Sequence, residues 1–99
     1  MGREATLYLT ERVVRVVGAD AWSWDPPFSF TRKRFAENGD ASLIWEGHKA
    51  GHEIGYGQME KLANLDLLPG DGFWISRLPY EIERGSAGFI RAVAFLPER

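Results

Sequence analysis

The chain has no cysteine, which excludes a disulfide framework, a thiol nucleophile and a Cys-ligated zinc centre. It has only two histidines, so imidazole chemistry is confined to one short stretch. No run approaches the roughly 18 consecutive apolar residues of a membrane span. The opening Met-Gly-Arg-Glu-Ala lacks the apolar segment of a secretory signal. The expectation is a cytoplasmic protein with no membrane association. Positive charge is also short: the net charge of −2 provides no long-range field to draw the chain onto polyanions, although a local basic patch still could.

What is present supports a folded unit. The 99 residues are 44% hydrophobic and include 13 aromatics, enough apolar surface to offset chain entropy and to close one core. The reading is therefore a single domain over residues 1–99.

Local signals give a β-rich α+β fold. Residues 5–17 end in Val-Val-Arg-Val-Val, β-branched enough to favour a strand, with a helix capped by Thr10 as the rival. Gly18 to Pro27 reads as a loop, because tandem prolines remove two donors. Phe28 to Trp45 holds two strand-like runs around Asn38-Gly39, a dipeptide suited to a type I′ turn, and predicts a hairpin in which Arg32 faces Trp45 and Arg34 faces Leu43. The glycines from Gly47 to Gly57 predict a looped connection. Met59, Leu62 and Leu65 lie at helical spacing and predict one short helix over about 58–66, ended by Pro69-Gly70. Residues 73–83 alternate as a half-buried strand with an edge or bulge at Pro79. Phe89 to Leu96 is apolar on both faces and reads as a central strand. The sum is about five mainly antiparallel strands in a twisted sheet or small open barrel, with that one helix.

Several constellations are candidates for chemistry. His48 and His52 stand four apart with Glu46 and Glu53 beside them, a donor set suited to zinc or another divalent ion. Two histidines in a solvated glycine loop are the plainer reading, and no cofactor is expected. The repeated Gly-His could also offer backbone N–H groups to an anion. Asp20, Asp25, Asp40 and Asp71 fall in predicted turns, where a paired general acid and base could stand, although turn aspartates usually bond their own backbone. No serine sits in a Gly-x-Ser-x-Gly elbow, so triad catalysis is not expected.

Arg32-Lys33-Arg34, with Arg12 and Arg15, could make a positive strip for phosphates or nucleic acid; on a hairpin edge such charges also prevent aggregation. Trp22, Trp24 and Phe28 concentrate aromatic surface in a proline-stiffened loop. Aromatics presented in this way dominate protein interfaces, unless the fold takes them into its own core.

The segment Met59-Glu-Lys-Leu-Ala-Asn-Leu-Asp-Leu-Leu-Pro-Gly-Asp-Gly-Phe-Trp-Ile75 resembles the helix and Leu-x-Leu-x-Pro-Gly-Asp stretch of AbrB-type transition-state regulators. The resemblance covers about a fifth of the chain and carries no site residues across. It implies a swapped-hairpin dimer that binds DNA. In this chain Gly55-Tyr56-Gly57 stands where that family has a proline ahead of the helix.

Three functions follow as expectations. The first is a non-enzymatic binding module, a regulator, inhibitor or immunity-type protein that docks another protein through the aromatic loop. The second is a nucleic-acid-binding regulator using the five basic residues, and the third is a small metal-dependent enzyme using His48 and His52. A homodimer is compatible with each.

Overall fold

The computed structural model describes residues 1–98 and divides the chain into two compact units, the first spanning Met1–Ala63 and the second beginning at Asn64. The secondary structure is mixed α+β, with three α-helices and four strands in two separate two-stranded sheets. The five-stranded β-rich sheet or barrel expected from the sequence is not formed.

The first unit opens with helix α1, Arg3–Glu11. Thr6 and Thr10 lie four apart on its inner face and are almost fully buried. Their hydroxyls bond backward, Thr6 Oγ1 to the Gly2 carbonyl at 2.9 Å and Thr10 Oγ1 to the Thr6 carbonyl at 3.2 Å. This satisfies both buried hydroxyl donors within the helix itself. The strand expected over 5–17 shrinks to β1, Val16–Gly18. The chain leaves the helix through Val13 at φ 69°, and β-branched propensity governs only the three residues beyond that break.

The hairpin around Asn38-Gly39 is replaced by helix α2, Phe28–Asn38. Gly39 ends it in the left-handed region at φ 64°, donating its N–H to the Phe35 carbonyl at 2.7 Å. The freedom that suits Asn-Gly to a type I′ turn equally suits glycine to a helix C-terminus, and here the second use prevails. The expected pairings of Arg32 with Trp45 and Arg34 with Leu43 fall with the hairpin. Asp40 then starts a 3₁₀ turn at Ala41–Leu43 by accepting the Ser42 N–H at 2.9 Å. Hydrogen bonding from the Ser42 side chain, and then from its backbone N–H, lowers the Asp40 carboxyl from its ordinary value.

The Gly-His stretch, expected to be looped, contains helix α3, Glu46–Lys49, followed by a 3₁₀ turn at Ala50–His52. The expected helix over 58–66 is absent. In its place β2, Gly57–Met59, pairs in parallel with β1. Lys61 and Asn64 both adopt positive φ, at 57° and 61°, so the chain cannot continue helically through either position. Met59, Leu62 and Leu65 have helical spacing, but Met59 packs from a strand and Leu65 begins a 3₁₀ turn. The helix that the AbrB-type resemblance implies is therefore missing as well. The core of this unit is small: Val17, Trp24, Ala50 and Met59 are its buried hydrophobic side chains.

The second unit holds β3, Trp74–Pro79, antiparallel to β4, Ile90–Phe95, in the register Trp74 with Phe95, Ser76 with Val93 and Leu78 with Arg91. The alternation read over 73–83 gives a strand only over Trp74–Pro79, largely exposed where a half-buried one was expected, and the apolar run over 89–96 gives one over Ile90–Phe95. The last strand is not central, because β3 and β4 form a sheet of two. Pro79 sits at the strand end, opposite Ile90, at a pair that needs no donor from it, since the next ladder bond runs from the Tyr80 N–H to the Phe89 carbonyl at 3.0 Å. Gly88 is required by close approach: a Cβ there would come within 2.6 Å of the Tyr80 carbonyl oxygen.

Replacing Gly39 by valine places a β-branched residue in the left-handed region. It should cost about 1–2 kcal/mol, read as a lowered urea midpoint with unchanged slope. Contiguous helical NMR signals over residues 28–38 should end at Gly39 in the parent chain.

Candidate functional site

The first unit gathers a carboxylate, an imidazole and a second carboxylate from three separate parts of the chain. Asp25 ends the aromatic loop just before Pro26-Pro27, and 8% of its surface is accessible. Its Oδ1 accepts the Gly47 N–H at 2.6 Å and its Oδ2 accepts the His48 N–H at 3.2 Å. Oδ2 also meets Nδ1 of the His48 ring. This buried carboxylate thus binds the start of α3 and fixes the orientation of the His48 ring in one step. Gly47 makes the approach possible, since a Cβ at that position would stand 3.1 Å from Asp25 Oδ1 and from the Trp24 ring.

On the far side of the ring, His48 Nε2 lies 3.5 Å from Glu60 Oε1. Glu60 follows β2, and its position depends on the parallel pairing of β1 with β2, which continues through Ala19 N–H to the Met59 carbonyl at 3.1 Å and Lys61 N–H to the Ala21 carbonyl at 2.9 Å. Glu60 Oε1 also accepts the Trp24 N–H at 2.8 Å. The loop that carries Asp25 is therefore tied to Glu60 one residue earlier.

The electrostatics of this trio are specific. When Nδ1–H is given to Asp25, Nε2 of a neutral ring presents a lone pair to a carboxylate oxygen. Two acceptors at 3.5 Å call for a proton or a metal cation between them. The separation is long for a hydrogen bond and close to that of two ligands around one small divalent ion, each about 2.0–2.2 Å from it. Tyr56 borders the site, donating its hydroxyl to the Gly47 carbonyl at 2.6 Å, with the Gln58 side-chain amide 3.1 Å from the same oxygen. Burial first, then the charges of Asp25 and Glu60, push its phenol above the usual tyrosine range.

Trp45 adopts φ 59° immediately before α3. A left-handed conformation is costly for a large L-residue, and such strain concentrates at functional positions. Its ring stands edge-on to His48, with centroids 4.9 Å apart. Trp45 also lines an open cavity of about 500 Å³, walled by Trp22, Pro26, Pro27, Phe28 and Ile44, with Asp25 in its lining. The imidazole–carboxylate trio and an apolar recess thus share Asp25, and both involve Trp45.

The residues singled out by sequence are distributed unevenly over this site. His48 is at its centre, whereas His52 is exposed on the following turn. Glu46 faces Arg34 at 3.7 Å and Glu53 forms a two-pronged pair with Arg3 at 2.6 and 2.8 Å, so neither neighbouring carboxylate turns toward His48. Of the turn aspartates, Asp25 belongs to the site and Asp40 serves as a cap. Trp24 is buried at 7% exposure, its indole N–H donating to Thr6 Oγ1 at 3.0 Å, while Trp22 is 81% exposed with Lys61 Nζ 4.5 Å from its ring centroid. Phe28 is exposed on the cavity wall.

The basic residues divide by role. Arg12 stacks on Tyr8 and bonds its carbonyl, and Arg15 bonds the Thr10 carbonyl, both closing the end of α1. Arg32 and Lys33 project from α2 into solvent and Arg34 turns to Glu46. Sequence reasoning missed Glu60 and Tyr56. Glu60 fell inside an expected helix, and no local motif marks either residue.

Comparison of the chain with protein-family models, with curated proteins and with solved structures returns no match.

Tyr56 should ionise late, its phenolate band appearing above the ordinary value of 10.0. Because the folded-state value is raised, the associated stability is fully present below pH 10 and lost as pH rises through the folded value. Tyr56→Phe should remove the late phase of the alkaline titration and flatten the loss of stability above that pH.

Proposed function

We propose that the first unit carries a hydrolytic centre in which His48 Nε2 and Glu60 hold a divalent cation and its water, with the apolar part of a small substrate in the adjoining cavity. The single observation that carries this reading is the gap of 3.5 Å between His48 Nε2 and Glu60 Oε1, with Asp25 behind the ring. A carboxylate on the remote nitrogen of a ligating histidine fixes its tautomer and raises its basicity. A bound divalent ion brings the pKa of its water toward about 7 and generates a nucleophile at neutral pH.

Among the described residues no three His, Asp or Glu side chains are grouped around one point. The chain thus supplies two ligands, and the remaining positions are left to water and substrate. Fewer ligands than the usual three of catalytic zinc mean weaker retention. Trp22, Pro26, Pro27 and Phe28 favour a substrate with an aromatic or aliphatic body next to its hydrolysable ester or amide.

Zinc titration of the purified chain by calorimetry should give one equivalent at micromolar affinity. Binding should be lost in His48→Ala and Glu60→Gln and kept in His52→Ala. Hydrolysis of a panel of aryl esters and aryl amides should follow the same pattern and depend on the added metal. A parent chain that takes up no zinc, or uptake abolished equally by His52→Ala, would overturn the assignment.

A second reading rests on Trp22. An indole left 81% exposed beside exposed Phe28 suits a hot spot for another protein. Iodide should quench Trp22 and spare Trp24. Trp22→Ala should leave thermal stability nearly unchanged, whereas Trp24→Ala should cost about 3–5 kcal/mol of stability. Equal quenching of both rings would remove the basis of this reading.

A further inference from the structure

The second unit has no buried residue between Asn64 and Glu98, and an isolated two-stranded sheet is marginal in water. One face of its hairpin concentrates the reason. The register places Trp74, Ser76 and Leu78 of β3 beside Phe95, Val93 and Arg91 of β4, and these side chains share a face because cross-strand partners point the same way. Trp74 is 80% exposed and Leu78 78%, and Phe95 and Val93 are exposed too. Arg91 is the one charged residue among the six.

We infer that this face packs against the same face of a second copy of the chain, making a four-stranded, two-layer dimer core. Two arguments select a second copy. The first is area. Buried aromatic side chains each remove about 150–250 Å² from water, so Trp74 and Phe95, the aliphatic neighbours and the flanking Tyr80 and Phe89, also exposed, amount to on the order of 800 Å² per copy, the size of a standard stable interface.

The second is charge placement. Arg91 and Leu78 occupy one end of the face, Trp74 and Phe95 the other, with Ser76 and Val93 between them. A two-fold axis that runs across the strands at the level of Ser76 and Val93 sets Leu78 on Trp74 of the second copy. It sets Arg91 on Phe95 of the second copy, a cation over an aromatic face, and it keeps the two Arg91 side chains at opposite ends. An axis along the strands would instead set Arg91 on Leu78 of the second copy and bring both Arg91 side chains to the same end, with no aromatic face for either. The face is therefore complementary to itself in one orientation, at the roughly 10 Å separation of stacked sheets.

The test uses the full chain, whose lack of cysteine lets a single introduced thiol report position. Sedimentation equilibrium should show a dimer at micromolar concentration. Leu78→Asp and Arg91→Glu should each raise the dissociation constant at least about tenfold while circular dichroism stays that of the parent chain. Arg91 is exposed and its replacement leaves the hairpin intact, so this variant stays informative if Leu78→Asp does not fold. A short bismaleimide should cross-link Val93→Cys in high yield and Arg91→Cys poorly, because only position 93 meets its own copy. A monomer up to about 100 µM, the range in which weak specific contacts are already populated, overturns the inference and leaves the face to a different protein. Equal cross-linking at the two positions overturns the orientation, and assembly beyond two copies overturns the closed two-fold.

Discussion

The Asp25 carboxylate is the contact on which the first unit depends. One buried group receives two backbone N–H groups at the start of α3 and holds the His48 ring, while its neighbour Trp24 anchors Glu60 through a backbone N–H and reaches Thr6 of α1 through its indole. Residues 24 and 25 thus join α1, α3 and the end of β2. A core of four hydrophobic side chains contributes little apolar burial by itself. The loop's polar bonds therefore specify where these elements meet. A buried carboxylate deprived of those donors carries a desolvation cost that no nearby contact offsets, so the arrangement forms as a whole or not at all.

The Pro26-Pro27 pair makes this possible. Prolines hold the residue before them in extended geometry, which points the Asp25 side chain away from α2 and toward α3. Pro27 also serves as the residue preceding the first helical position of α2, so the same dipeptide both ends the loop and starts the next helix. Trp45 performs the corresponding service on the other side. Its left-handed backbone turns the chain abruptly into α3, which places Gly47 and His48 on Asp25, while its ring meets the imidazole and lines the cavity.

Several of these features were legible in the sequence and others were not, for physical reasons. The strands at 73–83 and 89–96 were legible because alternation and a two-sided apolar run are local signals, and their antiparallel partnership follows from a short connection. The aromatic loop, the isolation of imidazole in one stretch and the candidacy of His48 and Asp25 were legible too. The fold class was not. Asn38-Gly39 is compatible with a turn and with a helix stop, and the outcome depends on whether Phe28–Phe35 finds a surface to pack on, which lies outside the window. The threonines of α1 form a helix face through back-bonding that a propensity scale counts against them. Glu60 was beyond reach, because its approach to His48 is set by a parallel pairing of residues 16–18 with 57–59, a contact with no local trace. His48 and His52 looked equivalent at four-residue spacing, yet the passage from α3 into a 3₁₀ turn between them turns His52 away to solvent.

The two units answer the problem of stability in opposite ways. In the first, polar groups are buried and each buried side-chain nitrogen or oxygen has a partner among the described residues, so specificity comes from hydrogen-bond geometry around a few apolar contacts. In the second, backbone pairing is complete along β3 and β4 but side-chain burial is lacking, so the ladder fixes register without removing apolar surface from water. Hydrogen bonds exchanged with water contribute only about 1 kcal/mol each, whereas covering a large aromatic contributes several times that. A hairpin whose register is already set and whose face bears Trp74, Leu78, Val93 and Phe95 is therefore preorganised for docking. The entropy of ordering the strands is met within the chain, and burial of the face remains as the driving force for association.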